Sequence, residues 1–224
     1  MGPVLGQILP YALGVALTPT AIIAVILMLF STRARQNGLA FLAGWVIALT
    51  AVLLIVVGAS SAAGASSGSA STLASVVVAA LGVLLLLLGV KTWRSRPAPG
   101  ASAPMPGWMA AIDSITPGRA FLVGALYTGV SPKSLALIAA AGLAIAQADL
   151  EAREQSVAVI EFVVIASLTI LVPVLYSLLG GERARSTLDG WKTWLVANNT
   201  AVVTIILVLL GAVLIGKGAG ALVG

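Results

Sequence analysis

Two ionisable side chains of this chain sit inside apolar runs, and they set the chemistry open to it. Lys133 lies in Gly129-Val130-Ser131-Pro132-Lys133-Ser134-Leu135, within a stretch that carries no other charge between Arg119 and Gln147. Glu161 is the one acid well inside an apolar run, with Thr169, Pro173 and Tyr176 following at spacings that put the hydroxyls roughly on its helical face. A lysine in hydrocarbon can attract an anionic headgroup or pair with a carboxylate, and a buried carboxylate can take up a proton. Which of the two Lys133 does, cargo binding or pairing with Glu161, is left open by the spacing. Cysteine and histidine are absent, which removes thiol chemistry, imidazole-assisted nucleophiles and Cys/His zinc sites. With a single buried acid no catalytic pair is available, so neither an enzyme nor a bound cofactor or metal is expected.

The elements that must position these groups are membrane helices. The 224 residues are 60% hydrophobic and 8% charged, with mean hydropathy +1.12. A soluble domain carries about 25% charge; too few polar residues remain here to cover a water-facing surface. Six stretches reach the roughly 20 apolar residues of a spanning helix, at about 5–30, 38–58, 72–91, 119–146, 156–179 and 197–217. The expected class is therefore all-α, a polytopic membrane protein. The start, MGPVLGQ, has no Lys or Arg and precedes an apolar run too long for a signal peptide, so the first stretch reads as a retained helix.

Loop charge orients the spans. Arg33, Arg35, Lys91, Arg94, Arg96, Arg119, Arg183, Arg185 and Lys192 flank alternate connections. The opposite side has an uncharged Ser/Gly loop at 59–71, a mostly acidic loop at 147–155, and Lys217. Six spans with both termini outside satisfy every connection. The net charge of +5 is scattered in these short loops rather than striped on one face, which argues against nucleic acid. Inside the long basic loop, Trp108, Met109, Ile112 and Ile115 recur at helical spacing, predicting a short helix over 107–116 that lies in the interface or packs on the bundle.

Divided at that loop, the chain gives a three-helix unit at 1–94, a cytoplasmic connection at 95–118 and a second three-helix unit at 119–224. Odd-numbered units joined this way have opposite topology. Gly14-Val15-Ala16-Leu17-Thr18-Pro19-Thr20 in the first corresponds to Gly129-Val130-Ser131-Pro132-Lys133-Ser134 in the second: a hydroxyl, then proline, in the middle of a long span. Such paired interruptions point to a midplane transport site. Thr18, Pro19, Thr20, Ser131, Pro132, Lys133 and Ser134 are the expected substrate-binding residues; Thr18, Thr20, Ser131 and Ser134 are equally suited to satisfying backbone groups freed by the prolines or to packing alone. Lys133 falls roughly 20 Å along its span and Glu161 about 8 Å from the outer end of its own. Glu161, Thr169 and Tyr176 are the expected coupling residues. Ala40, Gly44 and Ala48 form a small-residue row for close helix contact, suited to internal packing or a homodimer. Asn198 and Asn199 are expected to cap the last span.

The arrangement resembles the lysine-exporter (LysE) superfamily: six spans, a proline motif early in helix one, and Asn-Pro-Lys in helix four. The run Trp108-Met109-Ala110-Ala111-Ile112-Asp113-Ser114-Ile115-Thr116-Pro117-Gly118-Arg119-Ala120-Phe121, with Gly124 and Ser131-Pro132-Lys133, is similar to its GAP family, the glycolipid- or sulfolipid-addressing proteins. The resemblance covers nearly the whole chain and is most specific over 108–135. It departs at Ser131, where the superfamily has Asn. It implies export of a lipid, a glycolipid or a small charged solute across a bacterial cytoplasmic membrane. The alternatives are an amino-acid or cation exporter, or a scaffold joining lipid-synthesis enzymes to an export machine.

Overall fold

A computed structural model describes residues 2–62, 68–95, 115–148 and 150–223. The described residues form helices α1 (Gly2–Ala16), α2 (Pro19–Leu29), α3 (Ala34–Ala62), α4 (Gly68–Arg94), α5 (Pro117–Gly129) and α6 (Pro132–Gln147). A helical run then extends over Ala152–Val223, broken at Gly181, whose φ of 55° and ψ of −139° leave the helical region. We treat its arms as α7 (Ala152–Gly181) and α8 (Arg183–Gly220). The positive φ favours glycine there, because an L side chain is strained in that conformation even though the space around it is open.

Helices α3, α7, α8 and the Ser75–Arg94 part of α4 are each long and apolar enough to cross a membrane. The pairs α1/α2 and α5/α6 reach that length only together, bent by 53° and 63° at breaks of a few residues. The described residues thus hold four to six candidate spans. Their outward faces are apolar: Ile55 is 69% exposed, Leu87 63% and Leu179 85%, a surface suited to lipid.

Three of the prolines act as helix starters, whereas Pro10 and Pro173 lie inside helices. Pro19, Pro117 and Pro132 each stand at the first turn of their helix, where the missing N–H costs nothing and the fixed φ is already helical. The residue before each, Thr18, Thr116 or Ser131, is the N-cap.

Packing sets the breaks against each other. Helix α2 buries eight positions, from Pro19 to Leu29, and belongs to a core that includes Ile8, Tyr11, Phe41, Trp45, Leu137, Ile138 and Phe162. Helices α3 and α5 cross backbone to backbone. A methyl group on Gly44 would collide with the carbonyl of Phe121, and one on Gly124 with the carbonyl of Phe41. The small-residue row at Gly44 is therefore used inside the chain. Helices α4 and α8 approach similarly: a Cβ on Gly82 would lie 2.7 Å from the Ile215 nitrogen, and one on Gly211 2.9 Å from the Gly82 oxygen. Buried Asn37 ties the start of α3 to the entry of α5, donating 3.1 Å to the Ile115 carbonyl and 2.9 Å to Ser31 Oγ.

Three local expectations are corrected. The last span starts at Arg183 rather than 197, because Ala184, Leu188, Trp191 and Leu195 give the preceding segment an apolar face. Asn198 and Asn199 are accordingly mid-helix and not caps; Asn198 Nδ2 donates 2.9 Å back to the Trp194 carbonyl. The Ser/Gly connection is shorter than 59–71, since α3 continues through Ala62 and α4 begins at Gly68. The predicted helix over 107–116, with Trp108, Met109 and Ile112, lies outside the described residues apart from Ile115 and Thr116.

Candidate functional site at the facing helix breaks

A helix that ends leaves its last four carbonyls without intrahelical donors, and in apolar surroundings no water is at hand to replace them. The end of α1 solves this with side chains brought from elsewhere. The Lys133 ammonium, at the start of α6, donates 2.9 Å to the Gly14 carbonyl, 3.1 Å to the Leu17 carbonyl and 2.8 Å to Thr18 Oγ1. Thr18 Oγ1 in turn donates a hydrogen bond to the Val15 carbonyl at 2.7 Å. The Ala16 carbonyl accepts from the Thr18 N–H at 2.8 Å and from Thr169 Oγ1, on α7, at 2.5 Å. Leu17 N–H closes the account on the Leu13 carbonyl at 2.8 Å.

The position of the lysine has an electrostatic reason. At the first turn of α6 it stands at the partial positive end of its own helix, where a cation is disfavoured. Its long stem carries the charge away to the C-terminal end of α1, the partial negative end of another helix. All three ammonium protons are then engaged.

The second break uses shorter, local devices. Val130 N–H donates 3.1 Å to the Leu126 carbonyl, and Leu135 N–H 2.9 Å to the Ser131 carbonyl. Ser131 Oγ accepts from Ser134 N–H at 3.5 Å, while Ser134 Oγ lies 3.5 Å from the Tyr127 carbonyl. Both of these are at the long limit of a hydrogen bond. Tyr127 is hydrogen-bonded through its side chain to Thr20 of α2, and its ring is tilted against Phe41 with centroids 6.3 Å apart. It therefore bridges the two breaks. No expectation had singled it out, although it precedes Ser131 by one helical turn.

Between the breaks lies a cavity of 460 Å³, lined by Thr18 and Thr20 from one side and Val123, Leu126, Tyr127, Val130 and Ser131 from the other. Its polar groups are hydroxyls at the breaks. Its apolar rim, Leu126 at 56% and Val130 at 63% exposure, lies on the outer surface of the bundle. A polar wall continuous with an apolar, laterally open rim suits an amphiphile better than a fully hydrated solute. A family model described as Sap, sulfolipid-1-addressing protein, matches residues 8–220. The chain belongs to that family. No curated protein and no solved structure matches it.

In this Sap-family chain the expected site residues divide into those gathered at the breaks and those placed elsewhere. Thr18, Pro19, Thr20, Ser131, Pro132, Lys133 and Ser134 come together. Glu161 does not join them: it lines a separate cavity of 420 Å³ with Leu5, Leu9 and Val164, between α1 and α7. Its Oε2 is buried without a hydrogen-bond partner. Lys133 reaches the α1 carbonyls instead of this carboxylate. Thr169 belongs to the first break, whereas Tyr176 lies farther along α7, stacked on Trp191 at 6.1 Å and 3.4 Å from Thr187 Oγ1. The polar seam foreseen on α7 is thus three separate contacts. Among the described residues no cluster of Asp and Glu is placed to hold a metal ion.

Proposed function

We propose that this protein moves an anionic glycolipid, a sulfolipid or a close chemical relative, outward across the bacterial cytoplasmic membrane. In this reading each bent pair is one span, the two three-helix units have opposite topology as in lysine-exporter proteins, and both termini lie on the side away from the basic loops. The matching hydroxyl-proline breaks, the similar bends of 53° and 63° and the clustering of cations on alternate connections support it. The membership in a sulfolipid-addressing family supports the cargo class.

The observation that carries the reading is the cavity between the two breaks, with hydroxyls on its inner wall and apolar side chains on its lateral rim. Acyl chains remain at the rim while the head enters. Lys133 is next to this cavity through Thr18, which both lines it and accepts from the ammonium. A sulfate or phosphate oxygen competes with the Gly14 and Leu17 carbonyls for the ammonium, and that exchange loosens the end of α1. In this reading Glu161, whose Oε2 is buried beside α1 without a hydrogen-bond partner, is the coupling residue.

The test is lipid profiling of a deletion strain complemented with wild type, Lys133→Met or Lys133→Arg. Loss of one anionic glycolipid from the cell surface, restored by wild type and not by Lys133→Met, is the expected result. Wild-type surface lipids in the deletion strain, with labelled amino acid taken up by inverted vesicles, would establish the solute exporter instead. Purified protein that fails to move the lipid in liposomes, while the deletion still removes it from cells, would favour the scaffold.

A further inference from the structure

A second cavity shares none of the residues that line the cavity between the breaks. It has a volume of 390 Å³ and is bounded by α2, α7 and α8, with Leu168, Val172, Pro173, Trp191, Trp194 and Leu195 among its walls. The wall is apolar apart from Thr169, whose hydroxyl is already turned to the Ala16 carbonyl. The mouth differs. Trp191 and Trp194 are 41% and 58% exposed, on the segment of α8 that precedes its apolar run, as tryptophans at a membrane interface are. One residue beyond Trp191, Lys192 Nζ stands 5.3 Å from the centre of the Phe30 ring, and the Arg185 guanidinium stands 5.4 Å from the same ring. One aromatic ring thus holds two cations together at the end of α2. Lys192 is paired with Asp189, the one ion pair among the described residues. Arg185 is exposed and has no carboxylate partner there.

We propose that this groove is a binding site for an anionic membrane lipid, separate from the cavity between the breaks. An acyl chain lies along Leu168, Val172, Pro173 and Leu195, the two tryptophans flank the ester region, and the phosphate or other acidic head meets Arg185 and Lys192. The argument for an anionic occupant is charge complementarity. Two cations gathered on one ring repel each other, Asp189 offsets one, and an anion completes the balance. A neutral lipid would satisfy the groove and leave Arg185 without a carboxylate partner among the described residues. A detached peptide is disfavoured because the wall has no free backbone or polar partner for it. The proposal depends on the chain being in a membrane, not on its moving lipid.

The full-length protein is reconstituted in phosphatidylcholine vesicles, and tryptophan fluorescence is quenched with phosphatidylglycerol or phosphatidylcholine brominated in mid-chain. In wild type the anionic lipid is expected to quench at lower mole fraction, with apparent affinity roughly fivefold or more above that of phosphatidylcholine, at about a factor of five for each basic residue engaged. Arg185→Gln with Lys192→Gln abolishes the preference, and Arg185→Lys with Lys192→Arg, which keeps the charges, retains it. In Trp191→Phe with Trp194→Phe the anion-dependent part of the quenching disappears. Equal quenching by both lipids in wild type overturns the proposal. So does a preference that survives the glutamine pair or the removal of both tryptophans.

Discussion

The two helix breaks start from the same sequence device and end in different states. Each has a hydroxyl N-cap, a proline at the first helical turn and a sharp bend, 53° at Thr18-Pro19 and 63° at Ser131-Pro132. The first is tied: the carbonyls at the end of α1 are met by Lys133 of α6, Thr18 of the break itself and Thr169 of α7. The second relies on its own serines, at 3.5 Å. The difference comes from one residue. Position two after the N-cap is Thr20 in the first break and Lys133 in the second, so only one break can send a cation to the other. The two matching breaks therefore form an asymmetric pair, one end held by long-range bonds and the other by short-range ones.

The comparison breaks most completely at Lys133. Lys133→Met leaves the Gly14 and Leu17 carbonyls without donors, at about 1–3 kcal/mol each, and easier burial of the neutral side chain offsets part of that, for a net loss of about 2 kcal/mol. Thermal unfolding in detergent should record it as a lowered midpoint, together with faster hydrogen exchange at Leu17 and Thr18. Lys133→Arg should fall between wild type and Lys133→Met, because a planar guanidinium cannot direct three donors as an ammonium does. A midpoint unchanged in Lys133→Met would show that the first break is not tied by the lysine.

Gly124→Val tests the anchoring of the second break. Its Cβ would strike the Phe41 carbonyl, so α5 must move off α3, at a cost of about 1–3 kcal/mol. Because Tyr127 packs on Phe41, the Tyr127–Thr20 bridge and the cavity should loosen too. Tyrosine accessibility to an aqueous quencher would report it, with Lys133 contacts less affected. Thr169→Val is smaller. The Ala16 carbonyl keeps the Thr18 N–H, and an interhelical bond of this kind is worth about 0.6 kcal/mol; equal midpoints for wild type and variant, within measurement error, would remove Thr169 from the account.

How far the sequence discloses this arrangement depends on the range of the contact. Both breaks are legible, because a proline inside a long apolar run fixes its own local geometry. The helical membrane class follows from composition alone. The partner of Lys133 was not legible. Its acceptors are backbone carbonyls, present at every residue, and only the end of α1 makes Gly14 and Leu17 available; the conspicuous charged candidate in the sequence is Glu161. The start of α8 was missed because Arg183, Arg185, Asp189 and Lys192 read as a polar loop. The buried Ala184 and Leu188 belong to an apolar face that the charges obscure. The glycines at the α4–α8 contact form two pairs seven residues apart, Gly82/Gly89 and Gly211/Gly218, yet among 24 glycines their role there is not evident without the facing helix.

The smallest expected effect is at Ser131, and it bears on the open state of the second break. An N-cap serine is worth about 0.5–2 kcal/mol when its oxygen is well placed. Here the Ser134 N–H is 3.5 Å away, so Ser131→Ala should cost no more than about 0.5 kcal/mol. Ser131→Asn, which installs the longer side chain, should instead gain stability, because the amide oxygen extends farther toward the Ser134 N–H. If the second break is the one that yields during function, that tighter cap should slow lipid movement while raising the unfolding midpoint. A variant that gains stability without losing rate would mean that α6 moves as a fixed body and that the yielding element is the end of α1, where the lysine must let go.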